Sequence, residues 1–347
     1  MYIHHLCYIV ALLLPCIAHA TRAPGLHKQE AHVIRKTVQA SEKSMLHIHN
    51  DRGSVHVSTA HVTKPTLEVH VYGPEGYTQY VDIVQNTHGK HAPVYAQIQD
   101  IPQNDDQETG KKSRSHPTLS QFTCDYYVTL PSQTGIQIES HDTLYTVIYG
   151  VNGHIAVEGD TATAYIEQAG SSVTANVNKG DITVDTARGY VDAHTYSGHL
   201  SLANIHADTN ASAYGQLSAH NMHGNVCVSN QRGHMYISDV QAVLNAHTRD
   251  GITVTQHSLS PETNVFIEAR HTASIYLPEQ VNAYIYAKTV KGIVTSEIPI
   301  TLDPVTTRLS RDIWKQMHKQ VKGTFGHGGA YINVDATNQI RLYALSS

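Results

Sequence analysis

The sequence is short of cysteine, of phenylalanine and tryptophan, of charge and of long apolar runs, and each shortage excludes something. Four cysteines in 347 residues cannot staple a disulfide-dense scaffold. Charged residues are 15% of the chain and the formal net charge is -5, without the basic stripe that a nucleic-acid binder presents. A hydrophobic fraction of 40% is too high for a disordered polymer. No apolar run after the first 20 residues approaches the ~20 that a membrane helix needs, so no transmembrane segment is expected in the mature chain. Phe 3 and Trp 1 stand against Tyr 20. Tyrosine suits a half-exposed β surface, where one end of the ring is wet. One short stretch reads as helical, so the expected class is all-β.

Histidine is abundant instead, at 26 residues. A clustered set would point to a pH-responsive or metal-binding surface. These are spread along the chain, which favours plain outward strand positions.

Residues 1–20 read as a signal peptide. Leu6 to Leu14 is an apolar run too short to span a bilayer, and Ala18-His19-Ala20 is an A-x-A site, so cleavage is expected after Ala20. Pro15 sits where a lipoprotein site needs a small residue, which argues against lipidation at Cys16. The expected location is extracytoplasmic: periplasm, cell surface or medium. Cys124 and Cys227 remain after cleavage. In the stack derived below they lie several coils apart at ~4.8 Å per coil, beyond disulfide reach.

Residues 21–40 read as a flexible leader, and residues 41–131 as an N-terminal β region. Leu46 and Ile48 alternate with His47 and His49, Val55 and Val57 flank His56, and Val69 and Val71 flank His70. Asp51-Arg52-Gly53 reads as the turn between the first two runs. Residues 101–118 are polar and turn-rich, hence a surface loop. Phe122 to Leu130 alternates strongly and closes at Pro131.

From 132 to 347 the expectation is a β-solenoid with a C-terminal cap. Stepping nine residues from Ile155 gives Ala164, Val173, Ile182, Val191, Leu200 and Thr209. After a one-residue slip the series resumes as Leu217, Val226, Met235 and Leu244, and after a second slip as Ile252. A second apolar residue follows each at +2, and a small residue precedes almost every one at -2. Thr209 is the one polar intruder. Each unit is therefore a short strand with two inward side chains, entered through a tight corner where glycine supplies backbone freedom. No unit can bury its pair alone, whereas stacked units form a continuous core.

From Ala175 to Ala211 the second inward position alternates small and large, a period of 18. That favours two nine-residue half-repeats, about 18 residues, per coil of a parallel β-helix. Past Val254 the repeat loosens, and Leu309, Ile313 and Met317 mark a short amphipathic helix or ordered loop as the cap.

Few residues in the sequence mark chemistry. Gly326-His327-Gly328 echoes polygalacturonase-type hydrolases, but glycosidic acid/base work needs clustered carboxylates. Asp181, Asp185, Asp192, Asp208 and Asp239 are scattered, and Asp105-Asp106 falls in the polar loop. No catalytic residue is assigned. The calcium-roll unit Gly-Gly-x-Gly-x-Asp is absent. The metal candidates are His47, His49, His56 and His70, placed by alternation on the outward face of neighbouring strands. With 26 histidines such neighbours arise by chance, and the expectation is no metal and no cofactor. Cys227 lies between inward Val226 and Val228, so it should face outward as a free thiol.

The ordered set of motifs resembles the putative-adhesin domain family, bacterial envelope β-solenoids of largely unknown function. The segments that carry the resemblance are LHIHNDRGSVHVSTAHVTKPTLEVHVYG, FTCDYYVTLPSQTGIQIES, the units KGDITVDT, SGHLSLAN and DGITVTQ, and the ending GTFGHGGAYINVDATNQIRLYAL. Asn338-Gln339 departs from it, where a glycine turn is usual. The resemblance implies a fold and an envelope location, and no catalytic residues. The functional expectation is a non-enzymatic, adhesin-like binding or scaffold protein of the bacterial envelope, with an envelope protein or glycan as partner. The alternatives are an envelope-stress regulatory component and a polysaccharide-active β-helix enzyme. The outward positions Tyr165, Thr174, Thr183, Ser201, Asn210, Ser218, Tyr236, Asn245 and Thr253 form the candidate binding ladder.

Overall fold

The computed structural model describes residues 32–38, 45–85, 92–98, 118–302 and 319–345. The signal peptide, much of the leader, the polar loop up to residue 117 and the amphipathic stretch 308–318 lie outside the described residues. What is described is a solenoid of mostly parallel strands.

The coil contains two strands, as the 18-residue alternation predicts. Val173 stands beside Ile155 on one side and Val191 on the other, and Ile182 beside Ala164 and Leu200. Two faces result. Face one holds Val173–Lys179, Val191–Ser197, Thr209–Ala213, Asn225–Asn230 and Val243–Thr248. Face two holds Ile182–Ala187, Leu200–Ile205, Leu217–Met222, Met235–Val240 and Ile252–Thr255. The long strands Gly135–Tyr149 and Ile155–Ala169 run round the corner and serve both faces.

Between the faces lies one continuous core. Face one contributes Ala175, Ala193 and Ala211 where face two contributes Val184 and Leu202, so small meets large across a narrow interior. Burying each Val, Leu or Ile contributes about 1.5–3 kcal/mol. Thr209 is buried in line with its apolar neighbours, its hydroxyl 3.4 Å from the carbonyl of Ala207.

Five strands on face two add a third inward residue that the nine-residue pattern does not reveal. Gln168, Thr186, Asn204, Asn221 and Asp239 all have φ between 52 and 60°. A left-handed residue breaks the alternation, so the next side chain turns inward. Ala169, Ala187, Ile205, Met222 and Val240 are accordingly buried. Glycine is required at the opposite corner. Gly180 has φ +127°, and a Cβ there would strike the carbonyl oxygen of Ala162 on the coil below.

The two slips are shortened corners. Thr195 to Leu200 spans five residues, whereas Ala213 to Leu217 and Thr248 to Ile252 span four, and the strands on either side stay in register. The looser spacing after Val254 is an insertion at the next corner, since Ile252 pairs with Ala273 and Leu244 with Val265.

Both ends depart from sequential stacking. The coil Met45–His49/Gly53–Ala60 lies between the coil Ala92–Ile98/Thr123–Pro131 and the strand Gly135–Tyr149. At the far end, Ala330–Ala336/Gln339–Leu345 lies between Asn264–Ala269/Thr272–Pro278 and Ala283–Thr289/Ile293–Ser296. The last coil in sequence is thus an inner coil in space. Antiparallel strands flank each end: Thr66–Tyr72 on Thr123–Pro131, Val81–Gln85 on Ala92–Ile98, and Gln320–Phe325 on Ala283–Thr289.

Two expectations are corrected here. The leader is shorter than 21–40, because His32–Thr37 is a strand antiparallel to Thr66–Tyr72, with Ile34 opposite Val69. Its own pattern is weak, and the partner edge supplies its hydrogen bonds. The turn at Asp51-Arg52-Gly53 is a solenoid corner, so the two strands around it lie on opposite faces and their histidines do not share the one outward face expected of them.

Candidate functional site

That corner separates the four candidate histidines. His47 and His49 stand on face one, where His47 Nε2 lies 3.0 Å from Glu139 Oε2 and His49 Nε2 lies 3.3 Å from Asp51 Oδ1. His56 and His70 stand on face two, on either side of Tyr127, with ring centroids 5.1 Å from it in both cases. His70 Nε2 is 2.8 Å from Glu68 Oε1. The four do not converge as the alternation argument placed them. Among the described residues no group of three or more His, Cys, Asp or Glu has the geometry to hold a metal.

The aspartates scattered in sequence have structural partners. Asp181 accepts the backbone N–H of His199, Asp208 that of Asn225, and Asp239 that of His257, each one coil onward. Asp192 lies within hydrogen-bond distance of His194 and accepts from Asn210. They fasten coil to coil and do not face one another across a cleft. Gly326-His327-Gly328 is a turn in which both glycines have positive φ and the His327 N–H donates to Asn282 Oδ1.

Cys227 is exposed on face one between Asn210 and Asn245, while Cys124 is buried, and both are free. Burial, aided by Asp125, pushes the Cys124 thiol up to about 12.

The outward ladder sorts by face. Thr174, Asn210 and Asn245 belong to face one. The other six form one unbroken row on face two, because Tyr165, Thr183, Ser201, Ser218, Tyr236 and Thr253 are successive register partners. The row continues toward the N-terminal end through Val147, His56 and Tyr127.

Here the row becomes aromatic. His56 stacks on Tyr127 at an interplanar angle of 9°, and Tyr145 meets it edge-on at 6.3 Å. Tyr127 and Tyr145 are 44% and 41% exposed. Burial lowers the His56 pKa, opposed by the charge of Asp125. Burial also raises Tyr127, and Asp125 adds to that rise. Asp125 itself is held by the backbone N–H and hydroxyl of Ser54. Two coils on, Tyr165 donates to Glu167 at 3.1 Å. In the sequence His56 stands out as no more than a candidate metal ligand, with no metal expected, and nothing singles out Tyr127. No local signal joins them, since their strands are more than sixty residues apart and meet through the displaced end coil.

Among solved structures the chain is similar to a "putative cell adhesion protein" of Clostridium sporogenes, at 12% identity over 91% of this chain and 100% of that one, with a TM-score of 0.20. It is similar also to a "putative adhesin" of Bacteroides fragilis, at 8% identity, 90% and 97% coverage and a TM-score of 0.25. A third, a "putative adhesin" of Parabacteroides distasonis, gives 9% identity, 91% and 98% coverage and a TM-score of 0.28. No family model and no curated protein matches the chain. Among the described residues no helix is long and apolar enough to cross a membrane.

Proposed function

We propose that this protein is an exported, non-enzymatic, adhesin-like module of the bacterial envelope that binds through face two. The observation that carries the reading is the single row from Tyr127 to Thr253, a polar and tyrosine-bearing strip along the stack. A flat strip of hydroxyls and rings on a scaffold fastened coil to coil is preorganised, so contact with an extended partner costs little side-chain ordering. The carboxylates that an enzyme would need are engaged in coil-to-coil hydrogen bonds instead. Export rests on the sequence of residues 1–20.

The test coats beads with purified protein and measures adherence to isolated bacterial envelopes. Thr183→Lys/Ser218→Lys, on face two and two coils apart, should reduce adherence at least tenfold. Thr174→Lys/Asn210→Lys, the matching pair on face one, should leave it unchanged. Equal effects from both pairs would overturn the face assignment. Protection from added protease on intact cells would sink the cell-surface role.

A further inference from the structure

The N-terminal end of face two carries three outward carboxylates, where the face-two strands from Leu200 to Thr255 carry Asp239 alone. From Ser115 to Asn178 the chain contains no lysine or arginine, while Asp125, Glu139, Asp142, Glu158, Asp160 and Glu167 fall within it. On face two the strands Gly53–Ala60, Thr123–Pro131, Gly135–Tyr149, Ile155–Ala169 and Ile182–Ala187 carry no basic residue other than histidine. Their outward carboxylates are Asp125, Glu167 and Asp185, and among the described residues none of the three has a Lys or Arg partner in an ion pair. Asp142 and Glu68 are different, being paired with Arg52 and Arg35 at the rim. The exposed rings Tyr127, Tyr145 and Tyr149 stand among these charges.

We propose that this patch binds an amine-bearing glycan, a polysaccharide whose sugars carry free ammonium groups, lying along the stack. The inference rests on the face-two reading and names its ligand class. Anionic polymers are repelled by the carboxylates of Asp125, Glu167 and Asp185, while the cations beside Tyr127, Arg35 and Lys36, are already paired with Glu68 and Asp82. Ammonium groups are attracted twice, by charge-assisted hydrogen bonds to carboxylate and by the tyrosine rings. A peptide fits less well. The backbone groups of these strands are paired in the ladder, so there is no free edge for strand addition. Side-chain contact with rings is what the face supplies, and successive coils repeat that contact at ~4.8 Å. His56 stays neutral at pH 7, so it adds ring surface without opposing charge.

The probe is the fluorescently labelled hexamer of glucosamine, compared with its fully N-acetylated form, with oligogalacturonate and with hexalysine, by fluorescence anisotropy. The glucosamine hexamer should bind at least tenfold tighter than the acetylated hexamer, and oligogalacturonate should not bind. Tyr127→Ala/Tyr145→Ala should weaken the glucosamine hexamer at least tenfold while circular dichroism and Tm stay unchanged. Hexalysine binding as tightly as the glucosamine hexamer, with no loss in the tyrosine variant, would overturn the proposal in favour of a plain polycation surface. Absence of hexamer binding while Thr183→Lys/Ser218→Lys still abolishes envelope adherence would overturn the ligand class and leave face two standing. Loss of both effects would remove the face-two reading itself.

Discussion

His56 shows how one side chain can hold two opposed roles. On face two it packs between Tyr127 and Tyr145, and that burial favours the neutral imidazole. Its folded pKa is therefore below the unfolded value of about 6.5. Above both values it is neutral in both states and adds no pH dependence. As pH falls below about 6.5 the unfolded chain takes up the proton first, so stability is lost on acidification. His56→Gln should thus lose less stability than the parent between about pH 7.5 and pH 5, measured by urea unfolding. An unchanged or steeper loss in the variant would refute the assignment. His234 is shifted the same way, also by burial, and serves as a second position for the measurement. Neither effect is readable from a histidine count, because it depends on what covers the ring.

At the scale of the strand, the left-handed position is the determining feature of face two. Asn204 and Asn221 occupy it with φ of 54 and 52°, and Asn221 Nδ2 donates to Asn204 Oδ1 at 2.8 Å. Asparagine visits this region at little cost, whereas a β-branched side chain is strained there. Thr186 sits in the same column at φ 60°. Thr186→Asn should therefore stabilise the protein by about 1 kcal/mol, read as a higher urea midpoint at unchanged slope. A midpoint at or below that of the parent would show that the threonine hydroxyl, which donates to Asp185, outweighs the strain. The nine-residue period exposed the two regular inward residues of each strand. The third was hidden, because a change in φ at one position leaves no mark in a hydrophobicity pattern.

Across the whole molecule, each coil is supported mainly by its two neighbours, so stability is a sum of local terms. The inner coils are covered on both sides, while among the described residues His32–Thr37 pairs along one edge only and Ile293–Ser296 likewise. The displaced coils at each end change what this implies for the termini. Met45–His49 and Gln339–Leu345 lie inside the stack although they are near the ends of the chain. Hydrogen exchange followed by mass spectrometry should find Gln339–Leu345 protected nearly as well as Leu200–Ile205, and Ile293–Ser296 exchanging much faster. Rapid exchange across Gln339–Leu345 would contradict the inserted position. The antiparallel strands beyond these coils cover backbone edges that would otherwise invite pairing with another chain.

The sequence by itself determined the period, the two regular inward positions of each repeat strand, the glycine corners and the two-strand coil. These follow from burial and backbone freedom, which act between residues close in the chain and repeat with it. It also determined that Tyr165, Thr183, Ser201, Ser218, Tyr236 and Thr253 point outward. The tertiary structure decided which outward residues share a face, that the four candidate histidines are divided, and that His56 and Tyr127 head the aromatic end of the row. Those outcomes depend on a corner that carries the chain from one face to the other and on end coils placed out of sequence order. The backbone hydrogen bonds that fix both carry no residue-specific signature, so they become visible only when distant strands are laid side by side.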